Sequence, residues 1–185
     1  MKTFSVILFF AFSCCRLNAT VDSIPAGAHE IVIGKKYDEI KQFLDPKPVW
    51  PYFVLNEIKV AGDAAPSEET YGPKTVYLVK KSQKKFFIYM NAPVTRMEVN
   101  FDEENLVREI YILIPDTKDN ETKVRAGSAA VFGSFFCAVA DEDPKFSCVC
   151  NRSEYDYSVA NWDGKREESY EEDKLIYVCF IKTNY

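Results

Sequence analysis

The fold is decided within residues 76–115, VYLVKKSQKKFFIYMNAPVTRMEVNFDEENLVREIYILIP, and in the AAVFGSFFCAV that follows at 129–139. Short runs of Val, Ile, Phe and Tyr alternate with small charged or Asn/Pro-containing breaks, the pattern of consecutive antiparallel strands. The clearest run is Val94–Phe101. Met97, Val99 and Phe101 fall on one face and Arg96, Glu98 and Asn100 on the other, the period of two of a half-buried strand. Asp102-Glu103-Glu104-Asn105 then predicts a four-residue hairpin loop into a second strand, Leu106–Ile114. A further hairpin is expected from Val76–Lys80, the polar Lys81-Ser82-Gln83-Lys84, and Lys85–Met90.

Upstream, His29–Gly34 reads as a short strand. Lys35–Leu44 places Tyr37, Ile40, Phe43 and Leu44 at helical spacing and predicts one short amphipathic helix. Asp45-Pro46-Lys47-Pro48 ends it, because proline lacks the amide hydrogen that a helix interior needs. Tyr52–Val60 is a strand candidate and Ala61–Pro73 a loop. Downstream, Pro115–Lys123 reads as a polar surface connection and Val131–Ala140 as a buried strand. Phe146–Asn151 and Tyr155–Val159 are shorter strands. Asn161–Lys174 is expected as loop or short polar helix, and Leu175–Ile181 (LIYVCFI) as a closing strand buried on both faces. The expected fold class is all-β: an antiparallel meander forming a sandwich or an up-and-down barrel, with one short N-terminal helix.

Of the 185 residues, 15% are aromatic, enough to build a sizeable β-rich core in a single domain. Met1–Ala19 carries Lys2, the uncharged apolar run Phe4–Phe12 and a small residue at a cleavage position, which predicts a secretory signal peptide followed by one domain over residues 20–185. The apolar run is shorter than the roughly 20 residues of a membrane-spanning helix, so no membrane span is expected. Loss of Lys2 and Arg16 lowers the basic count from 23 to 21 against 28 acidic residues, moving the net charge from -5 to -7. So acidic a chain is a poor ligand for phosphate backbones, and no nucleic-acid partner is expected.

Removal of that segment also takes Cys14 and Cys15, leaving Cys137, Cys148, Cys150 and Cys179. An even count in a secreted chain predicts two disulfides, and four cysteines allow three pairings. Cys148 and Cys150, two apart on one strand, lie nearly 7 Å apart, too far to bond comfortably, so each is expected to reach separately to Cys137 or Cys179. The spacing C-x10-C-x-C-x28-C matches no common zinc arrangement, and no metal or other cofactor is expected. Asn120 and Asn151 begin sequons and are expected glycosylation sites.

Signals of catalysis are weak. His29 is the single histidine, no Gly-x-Ser-x-Gly elbow occurs, and the seven glycines form no phosphate-cradling loop. Carboxylate runs such as Asp102-Glu103-Glu104 sit in predicted turns, where solvated surface is the ordinary reading. No enzymatic activity is expected. Tyrosines among acidic residues stand out: Glu154, Tyr155, Asp156 and Tyr157, then Tyr170, Glu171 and Glu172. Such a surface could carry sulfate and steer a basic partner. A secreted acidic all-β chain resembles the lipocalins in architecture alone. Gly34 is followed by Lys35-Lys36 in place of a Gly-x-Trp, and Trp50 comes only after Pro48. The expectation is therefore a secreted, extracellular, monomeric binding protein that acts on another extracellular protein through exposed loops and an acidic surface. A lipocalin-like carrier of a small apolar ligand is the alternative.

Overall fold

The structure, a computed structural model, describes residues 31–52, 76–132, 136–139, 146–151, 155–162 and 174–183. The expected signal peptide, His29, the loop 61–73 and most of the 52–60 strand candidate lie outside these residues. Among the described residues are nine strands: β1 Val76–Leu78, β2 Ile88–Tyr89, β3 Ala92–Pro93, β4 Arg96–Phe101, β5 Val107–Pro115, β6 Phe136–Val139, β7 Phe146–Asn151, β8 Tyr155–Trp162 and β9 Leu175–Lys182. Seven form one antiparallel sheet in the order β1-β4-β5-β9-β8-β7-β6, and β2 pairs with β3 alone. The sheet is open, with β1 and β6 at its ends, so the up-and-down barrel is not formed.

The expected β4–β5 hairpin is present, with Met97 opposite Ile112 and Val99 opposite Ile110. Its loop is organised by Asp102, whose carboxylate accepts the amides of Glu104 at 3.1 Å and Leu106 at 2.9 Å, while Asn105 takes the left-handed conformation at φ 59. The register shifts by one residue beside Asn100 and Phe101. That bulge lets Val107 and Ile110, three apart in sequence, both enter the core while Arg108 stays outside. From there Ile110, Ile112 and Ile114 line one face with Phe180, Val178 and Ile176 of β9 directly opposite. Tyr37, Tyr77 and Phe101 close one end of this core with ring centroids 5.2 to 5.8 Å apart, edge-on or tilted.

The early helix is present as α1, Tyr37–Ile40, followed by a 3-10 turn over Lys41–Phe43. It starts with the Glu39 carboxylate accepting the Lys36 amide at 2.9 Å and ends before the prolines, as expected. The chain then runs along the edge of β1, giving the Asp45 and Val49 amides to Leu78 and Val76 carbonyls at 2.8 and 2.7 Å. That contact caps an otherwise open sheet edge.

Four expectations are corrected. Ile31–Gly34 forms a turn, not a strand: Gly34 has φ +84, and Ile31 is buried in the core. Val76–Lys80 does not pair with the segment at 85–90; β1 pairs with β4, and Lys84–Phe86 is a 3-10 turn. Residues 118–132 form a 15-residue helix, α2, where a polar connection and the start of a buried strand were expected. The strand at 131–140 is thereby reduced to β6. The helix begins because the Thr117 hydroxyl accepts the Asn120 amide at 3.2 Å. The pairs Lys123–Asp119 at 2.7 Å and Arg125–Glu121 at 3.0 Å then run along its outer side at the i,i+4 spacing. Among the described side chains of the helix Asn120, Val124 and Ser128 are buried, a stripe with a single apolar member that does not reveal itself as hydrophobic periodicity.

The β2–β3 hairpin docks on this helix. Met90 and Asn91 turn it with φ 48 and 62, the mirror-image two-residue turn that suits strand twist although Met90 is a poor residue for it. Gly127 makes room for Met90: a Cβ there would lie 2.5 Å from the Met90 sulfur and 2.8 Å from its Cβ. Gly127→Ala should gain about 1 kcal/mol in helix propensity. It should lose about 1–3 kcal/mol to overpacking, because a Cβ clash cannot be relieved by a rotamer change. Urea denaturation should therefore show a net loss of stability that is abolished in a Met90→Gly background; an additive double mutant would contradict the contact.

Candidate functional site

Polar chemistry among the described residues gathers on the face of the sheet opposite α2. Antiparallel register sets a continuous row across it: Leu78, Glu98, Tyr111, Cys179, Ser158 and Val149 are successive cross-strand partners. A neighbouring row holds Asn100, Glu109, Ile181 and Asp156. The alternation that sends Met97 and Val99 inward places Arg96, Glu98 and Asn100 here, as the sequence implies. Their burial is not implied. Glu98 is only 1% exposed.

The Glu98 carboxylate is held by Arg96, whose Nε lies 2.5 Å away, and by the Tyr52 amide at 3.0 and 3.3 Å. The Arg96 guanidinium also sits over the Tyr52 ring at 5.5 Å. Burial pushes the Glu98 pKa up, and the opposing pull of Arg96 and the Tyr52 amide does not restore it. One strand further, Glu109 accepts from Asn100 Nδ2 at 3.0 Å and the Tyr111 hydroxyl at 3.2 Å. Burial, with the Glu109 charge adding to it, pushes the Cys179 thiol up to about 12 against a hydrogen bond with Tyr111. A thiol so raised stays protonated at neutral pH and is a poor nucleophile. These carboxylates and this thiol are committed to partners within the fold. Among the described residues no group of three or more His, Cys, Asp and Glu is placed to hold a metal ion, and no helix is long and apolar enough to cross a membrane.

The outward-facing candidate lies elsewhere, between β1 and β3. Lys80, Lys81, Lys84 and Lys85 gather in the turn preceding β2. Lys80 Nζ reaches the Gln42 carbonyl at 3.0 Å, and Lys85 Nζ lies 5.0 and 5.1 Å from the Phe43 and Phe86 ring centroids. Lys81 and Lys84 are exposed. On the hairpin that follows, Tyr89 and Ala92 face inward, while Ile88 and its partner Pro93 face outward. Ile88 is 57% exposed, the larger of the two exposed large hydrophobic side chains among the described residues.

The acidic tyrosine surface is only partly described, and its centre is corrected. Tyr157 is fully buried, donating nothing to the surface: its hydroxyl accepts from Tyr89 at 3.0 Å and lies 2.5 Å from the Ser128 hydroxyl. It ties the hairpin, α2 and β8 together. Asp156 is half-buried, Tyr155 stands opposite Lys182 in β8, and Glu154, Tyr170, Glu171 and Glu172 lie outside the described residues. Cys179 is a free, buried thiol, so the disulfide expected of it is not formed. Register explains why. Cys179 stands opposite Ser158, whereas Cys148 and Cys150 stand opposite Val159 and Tyr157, on the other face.

Asn151 ends β7 opposite Asp156. Asn120 is not in a surface loop; it is 5% exposed in the first turn of α2, with Nδ2 donating to the Pro115 carbonyl at 2.9 Å. A glycan on that nitrogen would displace the hydrogen bond and the packing around it. Comparison with known protein families, with curated proteins and with solved structures finds no match.

Two outcomes follow from these placements. Peptide mapping of protein secreted by a eukaryotic host should find Asn120 unmodified, and a glycan at that position would show that the helix begins differently. Glu98 has a folded pKa above its ordinary value of 4.5, so the folded state holds a proton that the unfolded state releases in that window. Its favourable contribution is complete below pH 4.5 and is lost as pH rises through the folded pKa. Urea titrations should therefore show wild type losing stability relative to Glu98→Gln as the pH is raised across that window. A pH-independent difference would contradict the raised pKa.

Proposed function

We propose that this chain is a secreted, non-enzymatic binding protein that engages another extracellular protein through the basic, apolar outer side of the β2–β3 hairpin. The observation that carries the proposal is Ile88, 57% exposed on a hairpin whose inner side is anchored and which follows directly in the chain on a turn exposing Lys81 and Lys84. Tyr89 and Ala92 are buried, Met90 packs on Gly127, and the Tyr89 hydroxyl reaches Tyr157. An apolar side chain on a hairpin anchored in this way can be buried by a partner with little ordering cost. The lysines favour an acidic partner segment by steering its approach. The acidic contribution from the chain itself rests on the exposed Glu103 and Glu104 of the β4–β5 loop, since Tyr157 is internal. An open sheet is not the enclosing barrel on which the carrier reading depends.

The test uses the full chain with a photoreactive residue in place of Ile88, irradiated in the extracellular fluid into which the protein is released. One dominant protein adduct is expected, weakened about tenfold, the equivalent of roughly 1.4 kcal/mol, by Lys81→Glu with Lys84→Glu. Raised salt should weaken it in the same direction. An adduct indifferent to both changes, or a stoichiometric small apolar ligand in native mass spectrometry, would overturn the proposal.

A further inference from the structure

Cys137 and Cys148 are direct cross-strand partners in the antiparallel pair β6–β7. Directly opposed residues in such a pair have Cα atoms about 4.5 to 5.5 Å apart. That range falls inside the roughly 4.4–6.8 Å window a disulfide bridges without backbone movement. The other pairings fail on register. Cys150 is two residues beyond Cys148, so it stands diagonal to Cys137 at about 7–8 Å, at or past the limit. Cys179 is in β9, separated from β7 by β8, hence about 9–10 Å away, and it stands on the opposite face.

We propose that Cys137 and Cys148, set opposite each other by the β6–β7 register, form a cross-strand disulfide, with Cys150 and Cys179 remaining as thiols. As the S–S bond forms, the two thiols release two protons and two electrons. The electrons pass to a disulfide oxidant of the glutathione class, whose own S–S bond breaks to give two thiols. The crosslink falls where the sheet most needs one. β6 is a terminal strand with a single neighbour, β7, and the covalent bond fixes its register against slippage.

Non-reducing peptide mapping tests this on the full chain equilibrated with glutathione disulfide. Cleavage after Arg125, Lys145 and Arg152 should release residues 126–145 joined to residues 146–152. Fragmentation of that species should place the bond at Cys148, and thiol labelling should recover Cys150 and Cys179, the latter only after denaturation. Cys150→Ser should retain the crosslink in full. A bond from Cys137 to Cys150 or to Cys179, loss of the crosslink in Cys150→Ser, or four labelled thiols in the equilibrated wild type would each overturn the assignment.

Discussion

The pairing of β5 with β9 is the constraint on which the rest of the structure depends. Pro115 meets Leu175 and Glu109 meets Ile181, so the contact joins segments far apart in the chain. Without it, β1-β4-β5 and β9-β8-β7-β6 would be two small sheets, each with an unpaired apolar edge. Closing so long a loop costs entropy that grows only slowly with length. The cross-strand pairs Ile110–Phe180, Ile112–Val178 and Ile114–Ile176 offset that cost, each side chain at or below 3% exposure. Burying a side chain of this kind stabilises by about 1.5–3 kcal/mol, and six of them face one another here. Contacts of such sequence separation slow folding, because the entropy of closing the loop is lost before the pairing rewards it.

That pairing also explains what could be read from the residues. The local hairpin β4–β5 was legible because its alternation, its turn and its partner all lie within about twenty residues. So were β7, β8 and β9 as individual strands. Their order in the sheet was not legible, because nothing in LIYVCFI names YILI as its partner over any other apolar run. The same limit misplaced Val76–Lys80. A turn-like KKSQKK beside it suggested a hairpin with its neighbour, but β1 instead completes the free edge of β4. The lysines serve a turn that leads away from the sheet into a separate two-stranded hairpin.

Helix α2 escaped notice for a different reason. Its sequence KDNETKVRAGSAAVF is held by a threonine cap and outer i,i+4 ion pairs, and of its buried residues Asn120, Val124 and Ser128 only Val124 is apolar. The small residues that weaken its hydrophobic signal are what its neighbour requires. Gly127 admits Met90, and Ser128 reaches the Tyr157 hydroxyl. A more conventional amphipathic stripe of leucines would exclude the β2–β3 hairpin, and with it the outward presentation of Ile88. A capping signal was nonetheless present in Thr117, followed three residues later by Asn120 and by two acidic residues in the first turn.

Tyr157 shows how a local composition argument can lose to periodicity. Its flanking acids suggest a solvated, charged surface, and composition alone places the tyrosines there. Yet Tyr157 and Val159 alternate with Asp156 and Ser158, and a strand's period of two sends the first pair one way and the second the other. The residues facing Tyr157 across the sheet decide the direction, since Phe180 lies opposite with ring centroids 5.0 Å apart. Burial of a tyrosine hydroxyl is unfavourable unless it is hydrogen-bonded. Tyr89 and Ser128 supply those bonds from two elements that the sheet itself does not contain. The buried hydroxyl thus acts as the joint between hairpin, helix and sheet. Because the hairpin is fixed at that joint, its outer residues are presented in one geometry, and the polar interior and the exposed apolar side chain are two ends of the same arrangement.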